Sequence, residues 1–385
     1  MIEFAANQHQ HHISVPDFSF DRTTDVRQLH RMLSAYTETP LVHLGQGIYV
    51  KDESKRFGIK AFKGLGGIYA MFRIICQVLN LNPAETTFDT LLESPYHDHI
   101  RQMEFVTTTD GNHGKGVSWA AGILGCKSHV YMPKGTVEVR AQAIRDVGNA
   151  EVTITEMRYD DCVAWTRELA KEKGWHLIQD TSWPGYEEVP LWIMQGYTTL
   201  FYEAISQMKA KPTHIFLQAG VGAMAGAIAA AALETYPAHP PIIATVEPKE
   251  VACFFESFER ADGLPHPATG SCQTIMAGLN CAVPCTLAWD ILSGCAVGGL
   301  ACDDEVTCHG IRLLHKAGVT AGESGAVTAG LVDALLCNPT YKEMKHQLRL
   351  TDDAVILLIN TEGDTDPENY QRIIAEADHD ETGAD

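Results

Sequence analysis

Lys63 is the residue whose surroundings best suit covalent chemistry. It follows Ala61-Phe62 and precedes Gly64-Leu65-Gly66-Gly67, a short glycine-rich turn, with an apolar helical run over 68–81 behind it. A lysine amine on a tight backbone, backed by a helix, is suited to a Schiff base with an aldehyde cofactor. The same triplet also fits a solvated lysine on a surface helix. The choice therefore rests on the other polar turns.

Three such turns follow strand-like runs. The first is Thr107-Thr108-Thr109-Asp110-Gly111-Asn112-His113-Gly114. Its hydroxyls, its amide and the free N–H groups of the helix that follows could hold a substrate carboxylate, and glycine lets the backbone approach closely. The plainer reading is a helix start capped by Asp110 or Asn112. The second is Gln218-Ala219-Gly220-Val221-Gly222-Ala223-Met224-Ala225-Gly226, where a backbone nest would surround a phosphate. Dinucleotide binding and glycines for close helix–sheet packing remain open there. The third, Asn360-Thr361-Glu362-Gly363-Asp364-Thr365, offers a hydroxyl to a ring nitrogen or is only a turn. Asp180 ends another strand, where a carboxylate would face a cleft. Glu323 in Gly322-Glu323-Ser324-Gly325-Ala326 starts a helix that it or Ser324 would cap.

These positions require strands that end at the turns. Strands are predicted at 104–108, 128–132, 151–154, 176–179, 213–217, 242–246 and 354–359, with helices at 115–124, 137–147 and 160–173, from near 190, and from 224. Strand–helix alternation of this kind predicts an α/β protein with two open twisted sheets and helices on both faces. Ligands are expected at the carboxyl ends of the strands and between the domains. The expected division is a large cofactor-binding domain of residues 1–63 and 191–385, and a smaller α/β domain of 64–190 closing over the cleft. Residues 1–25 read as irregular and 376–385 as a solvated acidic tail. No short-period repeat is visible.

Composition excludes several functions. The chain has 385 residues, 45% hydrophobic and 20% charged, which is ordinary for a globular protein. A net charge of −20 would repel nucleic-acid phosphates. No apolar run is long enough for a bilayer, and the N-terminus lacks the features of a secretory signal. A soluble cytoplasmic protein is the expectation. Eleven cysteines occur singly; Cys281 and Cys285 are the nearest pair and lack a matching histidine pair, so no metal is expected. His9, His11 and His12 cluster in the polar N-terminal stretch.

Taken together, the lysine after Phe62, the Gly-Asn-His turn, the glycine loop, the Glu-x-Gly-Ala helix start and the hydroxyl after the last strand resemble the fold-type II pyridoxal-phosphate enzymes, the family of threonine dehydratase and the tryptophan synthase β chain. The resemblance spans about 26–370. Within that family, Lys-Asp-Glu-Ser-x-Arg-Phe-Gly (51–58), the 107–114 turn, Gln-Asp-Thr-Ser-Trp (179–183) and Asn-Thr-Glu-Gly-Asp-Thr (360–365) are similar to the diaminopropionate ammonia-lyase subfamily.

The resemblance implies a pyridoxal 5'-phosphate cofactor carried by Lys63. It implies that Asn112 stands beside the ring hydroxyl, that Gly220, Val221, Gly222, Ala223 and Met224 form the phosphate cup, and that Thr361 partners the pyridine nitrogen. Thr108 and Thr109 would grip the substrate carboxylate. Asp110 and Asp180 would be the acid/base and substrate-orienting carboxylates. Asp110 occupies a position where the dehydratases generally carry serine, and a carboxylate there suits a substrate with a second amine. The implied reaction is α,β-elimination of 2,3-diaminopropionate, with both D and L isomers accepted, to pyruvate and two ammonia. A homodimer is also implied. A serine/threonine dehydratase and a non-catalytic protein of the same fold are the rivals.

Overall fold

The computed structural model describes residues 1–109 and 111–382, with side chains up to residue 376. Asp110, expected as an acid/base and substrate group, lies outside the described residues. The apolar runs of the sequence form eleven strands among the described residues: β1 (Ile2–Ala6), β2 (Leu41–Gly45), β3 (Ile48–Asp52), β4 (Glu104–Thr108), β5 (Lys127–Met132), β6 (Ala150–Ile154), β7 (His176–Leu177), β8 (His214–Gln218), β9 (Ile242–Pro248), β10 (Gly298–Cys302) and β11 (Ile356–Asn360). They belong to two compact units.

The first unit comprises Met1–Phe20, Thr39–Lys55 and Leu200–Asp385. Its seven strands run in the order β1-β10-β9-β8-β11-β3-β2. The five central strands are parallel, and β1 and β2 add antiparallel edges. β8, β10 and β11 are buried along their whole length, as strands covered on both faces must be. Because β8 and β11 are parallel neighbours, the turns after Gln218 and after Asn360 leave the same end of the sheet. Gln218 ties these ends together, its Nε2 donating to the Ile359 carbonyl at 2.7 Å.

Two expectations for the termini are corrected. Residues 1–25 are not irregular throughout: Ile2–Ala6 pairs antiparallel with β10, from Ile2 opposite Cys302 to Ala6 opposite Gly298, and Ile2 and Ala5 are buried. The acidic C-terminal stretch does not start as a loose tail, because helix Pro367–Thr382 runs into it. That helix is anchored by Tyr370 and Ile373, which join the core of this unit.

The second unit comprises Asp21–Glu38 and Arg56–Thr199. Its sheet has the order β6-β5-β4-β7 and is parallel throughout. Helices Asn112–Leu124, Glu138–Asp146 and Tyr159–Lys173 connect the strands, as parallel neighbours require. Val130 and Met132 of β5 pack with Ala141 and Ile144 in a core of their own.

The ladder of β7 ends after two residues, shorter than its sequence suggests. The Gln179 side chain takes over where the backbone stops. Its Oε1 accepts from the Thr108 amide at 3.0 Å, and its Nε2 donates to the Thr108 carbonyl at 3.1 Å. A carboxamide here imitates a peptide unit and fastens the end of β4 to the turn that carries Asp180.

Candidate active-site residues

In the second unit the helix Gly64–Val78 begins directly after Lys63, so residues 64–67 are its first turn and not a separate glycine-rich turn. Glycine is a poor helix former, and close approach explains its presence. A Cβ on Gly116 would stand 2.8 Å from the carbonyl carbon and oxygen of Lys63, and one on Gly67 would stand 3.2 Å from the Gly116 carbonyl. Helices Gly64–Val78 and Asn112–Leu124 therefore meet backbone to backbone, which fixes the main chain of Lys63.

The Lys63 side chain is 16% exposed and its Nζ donates to Asp180 Oδ2. Nζ also lies 5.3 Å from the Phe62 ring centroid and 5.7 Å from that of Tyr197. Asp180 is buried. Burial pushes its carboxyl up, but His113 and Lys63 pull it down further, to about 2. His113 is itself buried, and burial lowers its pKa despite the pull of Asp180. Burial thus disfavours the imidazolium, and the direct hydrogen bond from Lys63 is the part of the pull on Asp180 that does not depend on it.

The tautomer of His113 follows from its contacts. Nε2 is 2.8 Å from the Ile178 carbonyl, which can only accept, so Nε2 carries the proton. Nδ1, 3.7 Å from Asp180 Oδ2, has no hydrogen bond among the described residues. Lys63, Asp180 and His113 thus form a short row of one proton donor and two acceptors.

The turn bearing Asp180 is fastened from both sides. Tyr186 accepts from the Gln179 amide and donates to the Leu177 carbonyl, each at 2.9 Å. Its ring stacks on Trp183 at 4.5 Å between centroids. Arg167 lies over the Trp183 ring at 5.2 Å.

Thr108 is fully buried, with its hydroxyl donating to Thr166 Oγ1 at 2.8 Å and its amide and carbonyl both bound by Gln179. All its polar atoms are satisfied inside the unit. Thr109 differs: its Oγ1 accepts from the amides of Gly111 and Gly114 at 2.9 and 3.2 Å. This serves the start of the next helix and leaves the hydroxyl proton for another acceptor. Asn112 is the first residue of that helix, which starts three residues earlier than its periodicity suggests.

In the first unit the loop after β8 leads into helix Ala223–Thr235 through Gly222, at φ +88°. Only glycine adopts this conformation readily, and a Cβ there would be 2.3 Å from the Phe254 ring. Phe254 is held in turn by its amide donating to the buried Glu247 carboxylate at 2.8 Å. The amides of residues 220–225 find no acceptor among the described residues, as a helix N-terminus poised for an anion would leave them.

Thr361 follows β11, is 5% exposed, and its hydroxyl makes no hydrogen bond among the described residues. Asn360 beside it donates to Asp52 Oδ1 at 2.9 Å and to the Thr320 carbonyl at 3.0 Å. Neither Glu323 nor Ser324 caps helix Glu323–Cys337 with its side chain. Glu362 accepts from the Ser324 amide at 2.9 Å instead, and Glu323 accepts from Asn369 at 2.5 Å.

Each unit thus supplies groups that fit a part of pyridoxal phosphate. The first offers unpaired amides at a helix N-terminus for a phosphate dianion and a buried hydroxyl for a ring atom. The second offers an amine beside a carboxylate for the aldehyde. Residues 32–362 match the family model for "Pyridoxal-phosphate dependent enzyme". The chain belongs to this family. It is 43% identical to the diaminopropionate ammonia-lyase of Salmonella typhimurium over 91% of each chain.

Two crystal structures of the Escherichia coli diaminopropionate ammonia-lyase are 40% identical and cover 98% of both chains. The complex with D-serine superposes with a TM-score of 0.91. The complex with an aminoacrylate-PLP azomethine reaction intermediate superposes with a TM-score of 0.89. This pyridoxal-phosphate enzyme is therefore a member of the diaminopropionate ammonia-lyase group, and the fold-type II resemblance read from the motifs is correct. Tyr186 and Tyr197 were not singled out from the sequence and lie in segments whose spacing carries no chemical pattern, whereas His113 and Gln179 were read only as members of the 107–114 turn and the 179–183 segment.

Proposed function

We propose that this chain is a carbon–nitrogen lyase that takes 2,3-diaminopropionate and one water to pyruvate and two ammonia, and that it accepts both D and L isomers. The observation that carries this reading is the Lys63–Asp180–His113 row: a buried carboxylate kept ionised beside an amine. The cofactor, when bound, supplies the electron sink for charge developed at Cα. Lys63 would hold it, the amides of Gly220, Val221, Gly222, Ala223 and Met224 would receive its phosphate, Thr361 would serve its ring nitrogen, and Asn112 its ring hydroxyl.

Lys63 serves as one base for the Cα proton and Asp110, by the resemblance, as a second, which gives both isomers a base. Asp180 is anionic throughout the neutral range and attracts the second ammonium of the substrate. That nitrogen then leaves as ammonia and not as amide ion. The Thr109 hydroxyl and the Asn112 helix start orient the substrate carboxylate, while Thr108 shapes the turn from behind. We further propose a cytoplasmic homodimer. Among the described residues no helix is long and apolar enough to cross a membrane.

The direct test is pyruvate release from D- and L-2,3-diaminopropionate by the cofactor-loaded protein, with L-serine and L-threonine as controls. Fast release from both diaminopropionate isomers with slow controls is expected. Faster turnover of the hydroxy amino acids would instead make the chain a dehydratase and leave the carboxylates without a task.

A further inference from the structure

Helix Glu188–Gln207 brings Tyr197 to the Lys63 side chain. The Tyr197 ring is fully buried and stands edge-on to Phe62 at 4.7 Å between centroids. It fits against residue 66 because that residue is glycine: a Cβ there would stand 2.6 Å from the ring. A phenylalanine would fill this space equally well. The hydroxyl nonetheless has no hydrogen bond among the described residues. An unsatisfied buried polar group is costly, so a donor within reach of this hydroxyl is favoured. Lys63 Nζ lies 5.7 Å from the centroid of the Tyr197 ring, and Lys63 is the main influence lowering a Tyr197 pKa that burial raises.

We propose that Tyr197 is a positioning residue for Lys63: its hydroxyl oxygen offers the Lys63 ammonium a second acceptor beside Asp180, and so governs how readily that amine gives up its proton. The inference rests on the reading of Lys63 as the reactive amine. The titratable groups that face Lys63 among the described residues are Asp180 from the turn after β7, His113 from helix Asn112–Leu124, and Tyr197 itself. Asp180 is ionised near pH 7, and burial disfavours the charged form of His113. The hydroxyl is therefore a neutral acceptor beside Lys63 that does not titrate in the working range. An acceptor favours the ammonium, so removing it lowers the pH at which the amine becomes neutral.

The test is Tyr197→Phe in protein stripped of cofactor. The pH dependence of Lys63 labelling by trinitrobenzenesulfonate is read by peptide mass spectrometry. The labelling midpoint is expected to move down by about one pH unit in a variant that still folds. In the loaded enzyme the acid limb of kcat should move the same way, with KM for diaminopropionate changed less than about twofold.

A folded Tyr197→Phe protein with the wild-type labelling midpoint would overturn the proposal. If that variant fails to fold, 3-fluorotyrosine at 197 keeps the ring and weakens the acceptor. A smaller downward shift then supports the proposal, and no shift overturns it. Labelling needs neither cofactor nor diaminopropionate, so this failure is distinguishable from failure of the proposed activity.

Discussion

Replacing Lys63 with alanine is expected to abolish the cofactor's lysine-linked absorbance and to lower pyruvate formation from either diaminopropionate isomer by at least about a thousandfold. Two losses combine. The amine that holds the cofactor disappears, and Asp180 loses a partner that opposes its burial. Burial alone drives the Asp180 carboxyl upward, and His113 and then Lys63 oppose it, bringing it to about 2. In Lys63→Ala the carboxyl should therefore titrate higher, and the ammonium-attracting charge weakens along with the loss of covalent chemistry. Added alkylamine should restore a measurable part of the rate. A variant with normal absorbance and turnover within tenfold of wild type (about 1.4 kcal/mol of barrier) would place the reactive amine elsewhere.

The second large effect is on stability and lies in the first unit. Lys51 in β3 is fully buried, with its Nζ 2.8 Å from Glu203 Oε2 and donating to the Thr39 carbonyl at 2.6 Å. The Thr39 hydroxyl donates to Glu53 Oε1 at 2.6 Å, which extends the network. Lys51→Met is expected to destabilise the protein by about 3–5 kcal/mol, because it removes the ammonium that Glu203 Oε2 meets at 2.8 Å in a buried site. Replacing both partners, as Lys51→Met with Glu203→Leu, should recover part of the loss, since the two opposite charges of this pair are then removed together. Urea midpoints of the three proteins check this. A single variant within about 0.5 kcal/mol of wild type would mean that water already solvates the pair.

The network also explains a stretch that the sequence presented as chemistry. Lys51, Asp52 and Glu53 belong to a segment similar to the diaminopropionate ammonia-lyases. In the folded chain Lys51 is paired with Glu203, Asp52 accepts from Asn360 and Glu53 accepts from Thr39. Their work is to fix β3 beside β11 and so to hold Thr361 at the end of its strand.

The parts of the fold that were legible share a physical basis. Strands such as β5, β8 and β11 are short apolar runs closed by glycine or polar turns, and burial on both faces enforces that pattern. Lys63 was visible because glycines follow it, and the three polar turns because glycines, hydroxyls and amides stood at strand ends. The edge strand β1 escaped notice because one partly buried pairing demands little apolar patterning. Gln179, Tyr186 and Tyr197 act through contacts with residues distant in sequence: a carboxamide imitating a peptide, a phenol bracing a turn, and a ring fitted over Gly66. No local spacing encodes such contacts.

The most direct measurement is borohydride reduction of the cofactor-loaded protein followed by peptide mass mapping. The pyridoxyl group is expected on the peptide containing Lys63, and its yield should disappear in Lys63→Ala. A pyridoxyl group on Lys60, Lys115 or any other lysine, with Lys63 unmodified, would contradict the assignment on which the whole site is built.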